Sequence, residues 1–170
     1  MESKNRVRLN KALADAGLAS RREADRLIAE GSVTVNGKRV YELGIKVDPR
    51  KDKILVSGKP LKSKSAPVYA ILHKPKGVLT TMEDPEGRPT LKPYIEDLPV
   101  RLFPVGRLDW DSEGLLLLTN DGDWAQKVMR PENEVTKTYL VKVKGEAKPE
   151  ALTKLRTGVS IIGAIMLGLG

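Results

Sequence analysis

Residues 103–122 read FPVGRLDWDSEGLLLLTNDG, and the second half of the chain is organised around them. The four leucines at 115–118 predict a buried strand. Three carboxylates, those of Asp109, Asp111 and Glu113, stand in the polar loop ahead of that strand. A polar loop that leads into a core strand commonly holds reactive groups, because the scaffold keeps the loop in place. From the residues alone, the loop is open to three interpretations: carboxylate chemistry on a nucleotide, a solvated connection, or a magnesium site.

The segments on either side of this loop predict the rest of a second domain. Upstream, residues 68–72 have the apolar character of a buried strand, and residues 78–81 predict a second short strand. The turn between them, residues 73–77, reads HKPKG and carries two lysines. Downstream, residues 148–156 show a helical pattern, and Pro149 suits the first turn of that helix.

The N-terminal part of the chain begins with two predicted helices. The first ends at Gly17, and its apolar face has the three-and-four spacing of a helix: Leu9, Ala12, Leu13 and Ala16. The second begins at Arg21, because Ser20 and Glu23 form the capping-box pattern of a hydroxyl at the N-cap and a carboxylate three residues later. It ends near Gly31, since glycine commonly follows a helix.

A hairpin and a linker complete the predicted domain organisation. Asn36-Gly37 predicts the hairpin, because this dipeptide suits a tight two-residue turn. Residues 59–67 mix Ser, Pro and Lys without periodicity and predict a mobile basic linker. The expected fold class is α+β. It comprises a helix-helix-hairpin domain over residues 1–58, the linker, and a domain over residues 68–170 that contains part of a mixed or antiparallel sheet.

The charge of the chain is unevenly distributed. Residues 1–66 contain 16 Lys and Arg against 8 Asp and Glu, whereas residues 67–170 contain 14 of each, so the net charge of +8 comes entirely from the first part. A concentrated positive charge favours a polyanionic partner. Arg21, Arg22 and Arg26 would attract phosphate together with the terminus of the second helix; the alternative is a solvated charged face.

The composition excludes several chemistries. The chain has no cysteine and one histidine, His73, which leaves no disulfide, thiolate or common zinc site. Catalysis would therefore use carboxylates, hydroxyls or amines. The sequence has no run of 18 apolar residues to span a bilayer, and its basic N-terminus lacks the apolar stretch of a secretion signal. We expect a cytoplasmic protein without a membrane partner.

The N-terminal pattern resembles the S-four domain, a small RNA-binding module named after a ribosomal protein. The resemblance rests on RLNK at 8–11, SRREA at 20–24 and GSVTVNG at 31–37, and it covers about residues 6–56. It implies that the two-helix face docks on structured RNA through shape and phosphate contacts. The residues of this domain expected to contact RNA are Arg8, Lys11, Arg21, Arg22 and Arg26.

The second domain is similar to the ribosomal small-subunit and large-subunit pseudouridine synthase family. The motif is GRLD at 106–109 followed by SEGLL at 112–116, with HKPKG at 73–77 upstream and KTY at 137–139 downstream. An S-four domain ahead of this motif is typical of that family. The resemblance covers residue 6 to about residue 159 and implies an enzyme that isomerises uridine to pseudouridine in ribosomal RNA.

By this resemblance, the catalytic residues are Asp109, Arg107 and Tyr139. The carboxylate of Asp109 would attack the ribose, or remove a ribose proton, while the bond from uracil to sugar breaks. Arg107 would help place RNA in the cleft; the alternative is an ion pair that holds the loop. Tyr139 would stack on the target base, although without the resemblance it reads as strand core. No cofactor and no metal ion are expected, because the isomerisation consumes neither an oxidant nor an energy donor.

Further RNA contacts are expected from Lys74, Lys76, Arg88 and Lys137. For Lys137, pairing with the acidic loop and a solvated position at a strand edge are the alternatives. Asp111 and Glu113 are expected to order the loop as hydrogen-bond acceptors. The loop DPEGRP at 84–89 resembles the large-subunit branch and favours 23S over 16S ribosomal RNA. The expected partner is ribosomal RNA or a pre-ribosomal particle, and the expected assembly is a monomer.

The last ten residues depart from the family pattern. Residues 161–170 read IIGAIMLGLG, whereas family members continue with several strands and a helix that carry a basic partner for the aspartate. We therefore expect a C-terminally incomplete synthase domain. Two functions stay open: an active isomerase, and an RNA-binding relative with weak or absent activity. A general RNA chaperone is disfavoured, because it would not need the passage at 106–122.

Overall fold

The fold is α+β, as predicted, and a computed structural model describes it for residues 5–161 and 164–166. The helices are α1 (Leu9–Asp15), α2 (Arg21–Ala29), α3 (Lys92–Ile95), α4 (Gly122–Met129) and α5 (Pro149–Thr157), with a 3₁₀ turn at Pro131–Asn133. The strands are β1 (Val7–Arg8), β2 (Val33–Val35), β3 (Lys38–Val40), β4 (Lys46–Val47), β5 (Ile54–Val56), β6 (Lys59–Pro60), β7 (Tyr69–Lys74), β8 (Phe103–Val105), β9 (Gly114–Thr119), β10 (Val159–Ile161) and β11 (Ala164–Met166). The chain forms two compact units that divide between Val135 and Thr136.

The two predicted N-terminal helices are present and pack against each other. Helix α2 begins at the expected residue, because the Ser20 hydroxyl accepts a hydrogen bond from the Glu23 N–H at 3.1 Å. This bond satisfies one of the N–H groups that a helix start leaves without an intrahelical partner. The side-chain amide of Asn10 in α1 donates to the Asp25 carboxylate in α2 at 2.9 Å and links the helices.

A four-stranded antiparallel sheet in the order β3-β2-β5-β6 follows the helix pair. Asn36-Gly37 forms the predicted turn with φ angles of 52° and 81°, and two positive φ values define the turn type that hairpins favour. Ser57-Gly58 has the same signature, with φ angles of 48° and 78°. Lys59–Pro60 consequently pairs with β5. The ordered sheet therefore extends into residues 59–67, which the sequence predicts as linker.

The first core lies between α1, α2 and the strands of this part of the chain. Its buried members are small or aliphatic: Leu9, Ala12, Leu13, Ala19, Ala24, Ile28, Val33, Val47, Ile54 and Val56. Strand β1 pairs antiparallel with β4, which brings Val7 opposite Val47 beside this core. Three members, Leu9, Ala12 and Leu13, belong to the face of the first helix that the spacing predicts.

The second sheet has three antiparallel strands in the order β7-β9-β8. Strand β9 confirms the strand predicted from the four leucines, and it is central, paired with β7 from Tyr69↔Thr119 to Lys74↔Gly114. One face of the sheet contributes Leu116 and Leu118 to a second core. The other buried members of that core are Val78, Leu91, Ile95 and Leu102. This sheet fixes both ends of the acidic loop, which runs from β8 to β9.

Residues 78–81 do not form the predicted strand. A single parallel bridge joins Leu79 to Thr90, and the segment otherwise lacks ladder pairing. Val78 is buried in the second core, while the buried Thr80 hydroxyl bonds to the backbone of another loop. The β-branched residues that suggested a strand are thus buried by side-chain packing and not by sheet formation.

The second unit contains α5 and a short hairpin. Helix α5 is present as predicted, with Pro149 at its start. Strands β10 and β11 pair antiparallel, with Val159 opposite Met166. The expectation for the chain end falls partly on residues 162–163 and 167–170, which lie outside the described residues. Across residues 5–161 and 164–166, no helix has the length and apolar character to cross a membrane.

Candidate active site

Asp109 lies in the loop between β8 and β9, where the sequence predicts a reactive carboxylate. Its side chain is exposed, whereas the preceding Leu108 packs against the second core. The Ser112 N–H donates to the Asp109 carbonyl at 3.1 Å and closes a tight turn. The loop therefore holds its backbone against the core and leaves the Asp109 carboxylate open to solvent.

Lys74 holds this loop through hydrogen bonds to its backbone. Its ammonium group donates to the carbonyl oxygens of Pro75 (3.1 Å), Asp109 (3.0 Å) and Ser112 (2.9 Å). An ammonium has three donors, so these three acceptors match it. The sequence predicts Lys74 as an RNA contact, but its side chain is fully buried and offers no surface to a phosphate. Burial lowers the pKa of Lys74, and the nearby charge of Asp109 acts in the opposite direction.

Thr80 and Gly77 hold the same loop from its other side. The Thr80 hydroxyl donates to the Leu108 carbonyl at 2.6 Å and accepts from the Leu108 N–H at 3.2 Å. The Gly77 N–H donates to the Trp110 carbonyl at 2.9 Å. Sequence reasoning missed both residues. A threonine inside an apolar segment was the available signal, because a buried hydroxyl needs a hydrogen-bond partner.

These bonds fix the backbone of three consecutive residues, Leu108, Asp109 and Trp110. A fixed backbone limits where the Asp109 carboxylate can lie, which favours nucleophilic or acid–base chemistry. Arg107 is exposed next to this segment, where it can meet a phosphate. The geometry thus supports the first of the three interpretations of the loop, carboxylate chemistry.

The other acidic residues of the loop have different surroundings. Glu113 forms an ion pair with Lys76 at 3.6 Å, and both side chains are largely exposed. Asp111 is exposed. Within the part of the chain that the structure describes, no group of three His, Cys, Asp or Glu side chains is arranged to hold a metal ion.

Arg88, a predicted RNA contact, is held within its own loop. Its guanidinium group donates to both carboxylate oxygens of Asp84, at 2.7 and 3.1 Å, and lies 3.2 Å from Glu86. Asp84 also accepts from the backbone N–H groups of Glu86 and Arg88. The bonds from Arg88 hold the pKa of the Asp84 carboxyl below its usual range. Half of the Arg88 side chain stays exposed, so the loop presents it in one orientation.

The predicted RNA contacts of the S-four-like domain fall into two groups. Arg8, Arg21 and Arg22 are exposed. Arg26 is exposed but pairs with Glu23 at 2.6 Å, and Lys11 pairs with Asp15 at 2.9 Å and Asp123 at 3.2 Å. Burial disfavours the charged form of Lys11, but the two carboxylates outweigh it and raise the Lys11 pKa. Lys11 is therefore engaged between elements of the protein and is a poorer phosphate contact than the arginines.

Tyr139 and Lys137 belong to the second unit. Tyr139 is 58% exposed and lies in a stretch without helix or strand, so it is not the strand-core residue of the alternative interpretation. Exposure leaves its ring accessible to a base. Its stacking on a target uracil, and the role of Lys137 near the acidic loop, stay predictions.

Comparisons with known proteins agree with the order of the two domains. A family model for RNA pseudouridylate synthase matches residues 68–162, and a model for the S-four (S4) domain matches residues 7–54. The first match spans more than half of the chain. The chain therefore belongs to the RNA pseudouridylate synthase family, as the resemblance predicts.

Individual relatives give the same result. Ribosomal large subunit pseudouridine synthase B of Bacillus subtilis (strain 168) is 49% identical over 154 residues, which are 91% of this chain and 62% of that protein. Dual-specificity RNA pseudouridine synthase RluF of Escherichia coli (strain K12) is 41% identical over 161 residues, 94% of this chain and 54% of that protein. A solved structure titled as a crystal structure of pseudouridylate synthase matches 93% of this chain and 67% of its own, with a TM-score of 0.58 and 29% identity. This chain thus spans less than two thirds of the length of these two curated relatives.

Proposed function

We propose that this chain isomerises a specific uridine of ribosomal RNA to pseudouridine, with Asp109 as the catalytic carboxylate. The observation that carries the proposal is the fixed loop, in which Lys74, Thr80 and Gly77 hold three consecutive backbone positions while the carboxylate is exposed. An enzyme that acts on a ribose needs such a group, because a misplacement of about 1 Å can cost about a hundredfold in rate. Membership of the family supports the same reaction.

The proposed reaction needs the Asp109 carboxylate but no external oxidant or energy donor. The bond from uracil N1 to ribose C1′ breaks and a bond from C5 to C1′ forms, while C5 loses a proton and N1 gains one. Atoms and electrons balance without an oxidant or energy donor, and the proposal includes no cofactor. The Asp109 carboxylate either attacks C1′ or removes a ribose proton, and both roles need its ionised form.

The remaining residues have proposed roles in RNA placement. The exposed Arg8, Arg21 and Arg22 contact phosphates from the S-four domain, where they carry part of its excess positive charge. Arg107 holds RNA beside the carboxylate, and Tyr139 stacks on the flipped uracil. We favour 23S over 16S RNA because of the loop at 84–89 and because the name of the Bacillus subtilis relative refers to the large subunit.

The proposal is tested by mapping pseudouridine in ribosomal RNA, bare and in pre-ribosomal particles, after incubation with the wild-type chain, Asp109→Asn and Asp111→Asn. We expect a new site that is lost only with Asp109→Asn, because Asp111 is an exposed carboxylate of the same loop outside the fixed segment. The asparagine at 109 cannot act as a nucleophile or base, yet it keeps the size of the side chain. RNA affinity should be the same for all three proteins.

Two other results would contradict the proposal. A product that persists with Asp109→Asn would place the chemistry elsewhere. No product from any of the proteins, together with RNA binding that weakens steeply as salt rises, would support the binding-only function instead.

A further inference from the structure

Trp110 follows Asp109, and the proposed function gives it no task. Its side chain is 37% exposed, which is unusual for a residue that gains so much from burial. Neither hydrophobic core includes it, although its neighbour Leu108 packs against the second core. The other tryptophan, Trp124, packs edge-on against Tyr69 with ring centroids 4.8 Å apart. Trp124 therefore packs on another ring, whereas Trp110 is exposed and lies outside both cores.

The backbone that carries Trp110 is held in place. Its carbonyl accepts from the Gly77 N–H at 2.9 Å, and the two residues before it are fixed by Thr80 and Lys74. The ring lies beside Gly77, since a Cβ built on that glycine would be 3.8 Å from Cζ2 of Trp110. A fixed backbone lowers the entropy that is lost when the residue meets a ligand.

The surroundings of Trp110 have the chemistry of a nucleic-acid contact. The exposed Arg107 lies three residues before it, and Lys76, whose side chain is 64% exposed and pairs with Glu113, precedes Gly77. The exposed carboxylates of Asp109 and Asp111 lie on either side of Trp110 in the sequence, so the nearby charge has both signs. Exposed aromatic rings beside cations bind single-stranded or looped RNA, because every base has a face on which to stack.

We propose that Trp110 stacks on the base next to the target uridine and holds open the gap from which the uracil leaves. This inference rests on the proposed function and names part of its substrate contact. Extruding a base costs stacking free energy, and a ring that covers the exposed neighbour recovers part of that cost. The proposed function assigns the target base to Tyr139, which leaves the neighbouring base as the partner for Trp110.

Fluorescence of Trp110 tests the stacking directly. With Trp124→Phe, Trp110 is the only indole of the chain. This protein is titrated with a single-stranded oligoribonucleotide and with an abasic ribose-phosphate oligomer of the same length, and binding of each is followed by anisotropy. We expect strong quenching by the base-bearing RNA and little by the abasic oligomer at saturation. Equal quenching by both would overturn the proposal, because phosphate proximity would then explain the signal.

Substitutions in the otherwise unchanged chain give a second test. Trp110→Leu keeps an apolar cover over Gly77 but cannot stack, whereas Trp110→Phe keeps an aromatic face. We expect Leu to weaken RNA affinity about tenfold and to raise KM for pseudouridine formation more than it lowers kcat, with Phe close to wild type. Wild-type affinity for Trp110→Leu would show that the ring is only a cover and would overturn the proposal.

The experiments can refute the stacking role of Trp110 and the isomerase activity independently of each other. An Asp109-dependent product without base-dependent quenching overturns the role of Trp110 and leaves the proposed function standing. Base-dependent quenching without any product supports the RNA contact and contradicts the proposed enzyme activity.

Discussion

At the residue scale, Lys74 and Lys76 share one turn but lie in opposite environments. Lys76 is exposed and pairs with Glu113, whereas Lys74 is buried with its ammonium on three carbonyl oxygens. The sequence predicts both as RNA contacts, because two lysines around a proline look alike in one dimension. Only the distant loop that carries Asp109 makes the difference, since its carbonyl groups supply the acceptors for Lys74.

We predict that Lys74→Met lowers the free energy of unfolding by about 3 kcal/mol, because three partly buried carbonyl groups lose the ammonium from which they accept. The control is Lys76→Met, the same change at an exposed site, which should alter stability by less than about 0.5 kcal/mol. Urea denaturation followed by tryptophan fluorescence measures both values. Equal effects of the two substitutions would show that the carbonyl cluster does not depend on the ammonium.

At the element scale, the turns and helix ends follow local rules. The Asn36-Gly37 turn and the Ser20 cap occur where the sequence predicts them, and Ser57-Gly58 obeys the same turn rule although its surroundings read as a linker. The prediction for residues 78–81 is wrong, because β-branched residues suit several buried environments and ladder partners lie far away in sequence.

Gly31 follows the end of helix α2; it has a φ angle of +71° and lies against the ring of Tyr41. We predict that Gly31→Ala costs about 2–3 kcal/mol, about 1 from the left-handed backbone and the rest from displacement of that ring. Gly17→Ala is the matched control, since Gly17 has a φ angle of +74° with nothing within 4 Å of an added Cβ. It should cost about 1 kcal/mol from the backbone alone.

Thermal or urea unfolding of both variants checks the difference. In a Tyr41→Ala background, Gly31→Ala and Gly17→Ala should become equally costly, because the ring is absent. An excess cost for Gly31→Ala that survives in this background would refute the explanation by the Tyr41 contact.

At the scale of the whole molecule, Lys11 connects parts of the first unit that are far apart in sequence. It joins α1 to Asp123 in the first turn of α4, 112 residues later, while it also pairs with Asp15 of its own helix. Burial lowers the pKa of Lys11, but the two carboxylates outweigh it, so the pKa is raised. The sequence predicts Lys11 as an RNA contact, but in the fold it forms an ion pair that links the S-four domain to the synthase domain.

We predict that Asp123→Asn increases tryptic cleavage at the exposed linker residues Lys62 and Lys64 about two- to fivefold. The reason is the loss of the Lys11–Asp123 ion pair, which contributes at most about 1 kcal/mol. Asp15→Asn removes only the pair within α1 and should leave the cleavage rate nearly unchanged. The difference should shrink in 1 M salt, where the Debye length is about 3 Å. Equal cleavage rates for wild type and Asp123→Asn at low salt would show that the Lys11–Asp123 ion pair does not hold the two domains together.

The sequence by itself determined the helix pair, its cap, the Asn36-Gly37 turn, the central leucine strand and the family of the chain. These features depend on residues a few positions apart or on a contiguous motif, so one dimension is enough to find them. The tertiary structure alone decided that Lys74 is buried under Asp109, that Thr80 holds Leu108 and that Lys11 reaches Asp123. Those contacts join residues 35, 28 and 112 positions apart. They form only when folding brings the donor to its acceptor, and no local sequence pattern predicts such a pair.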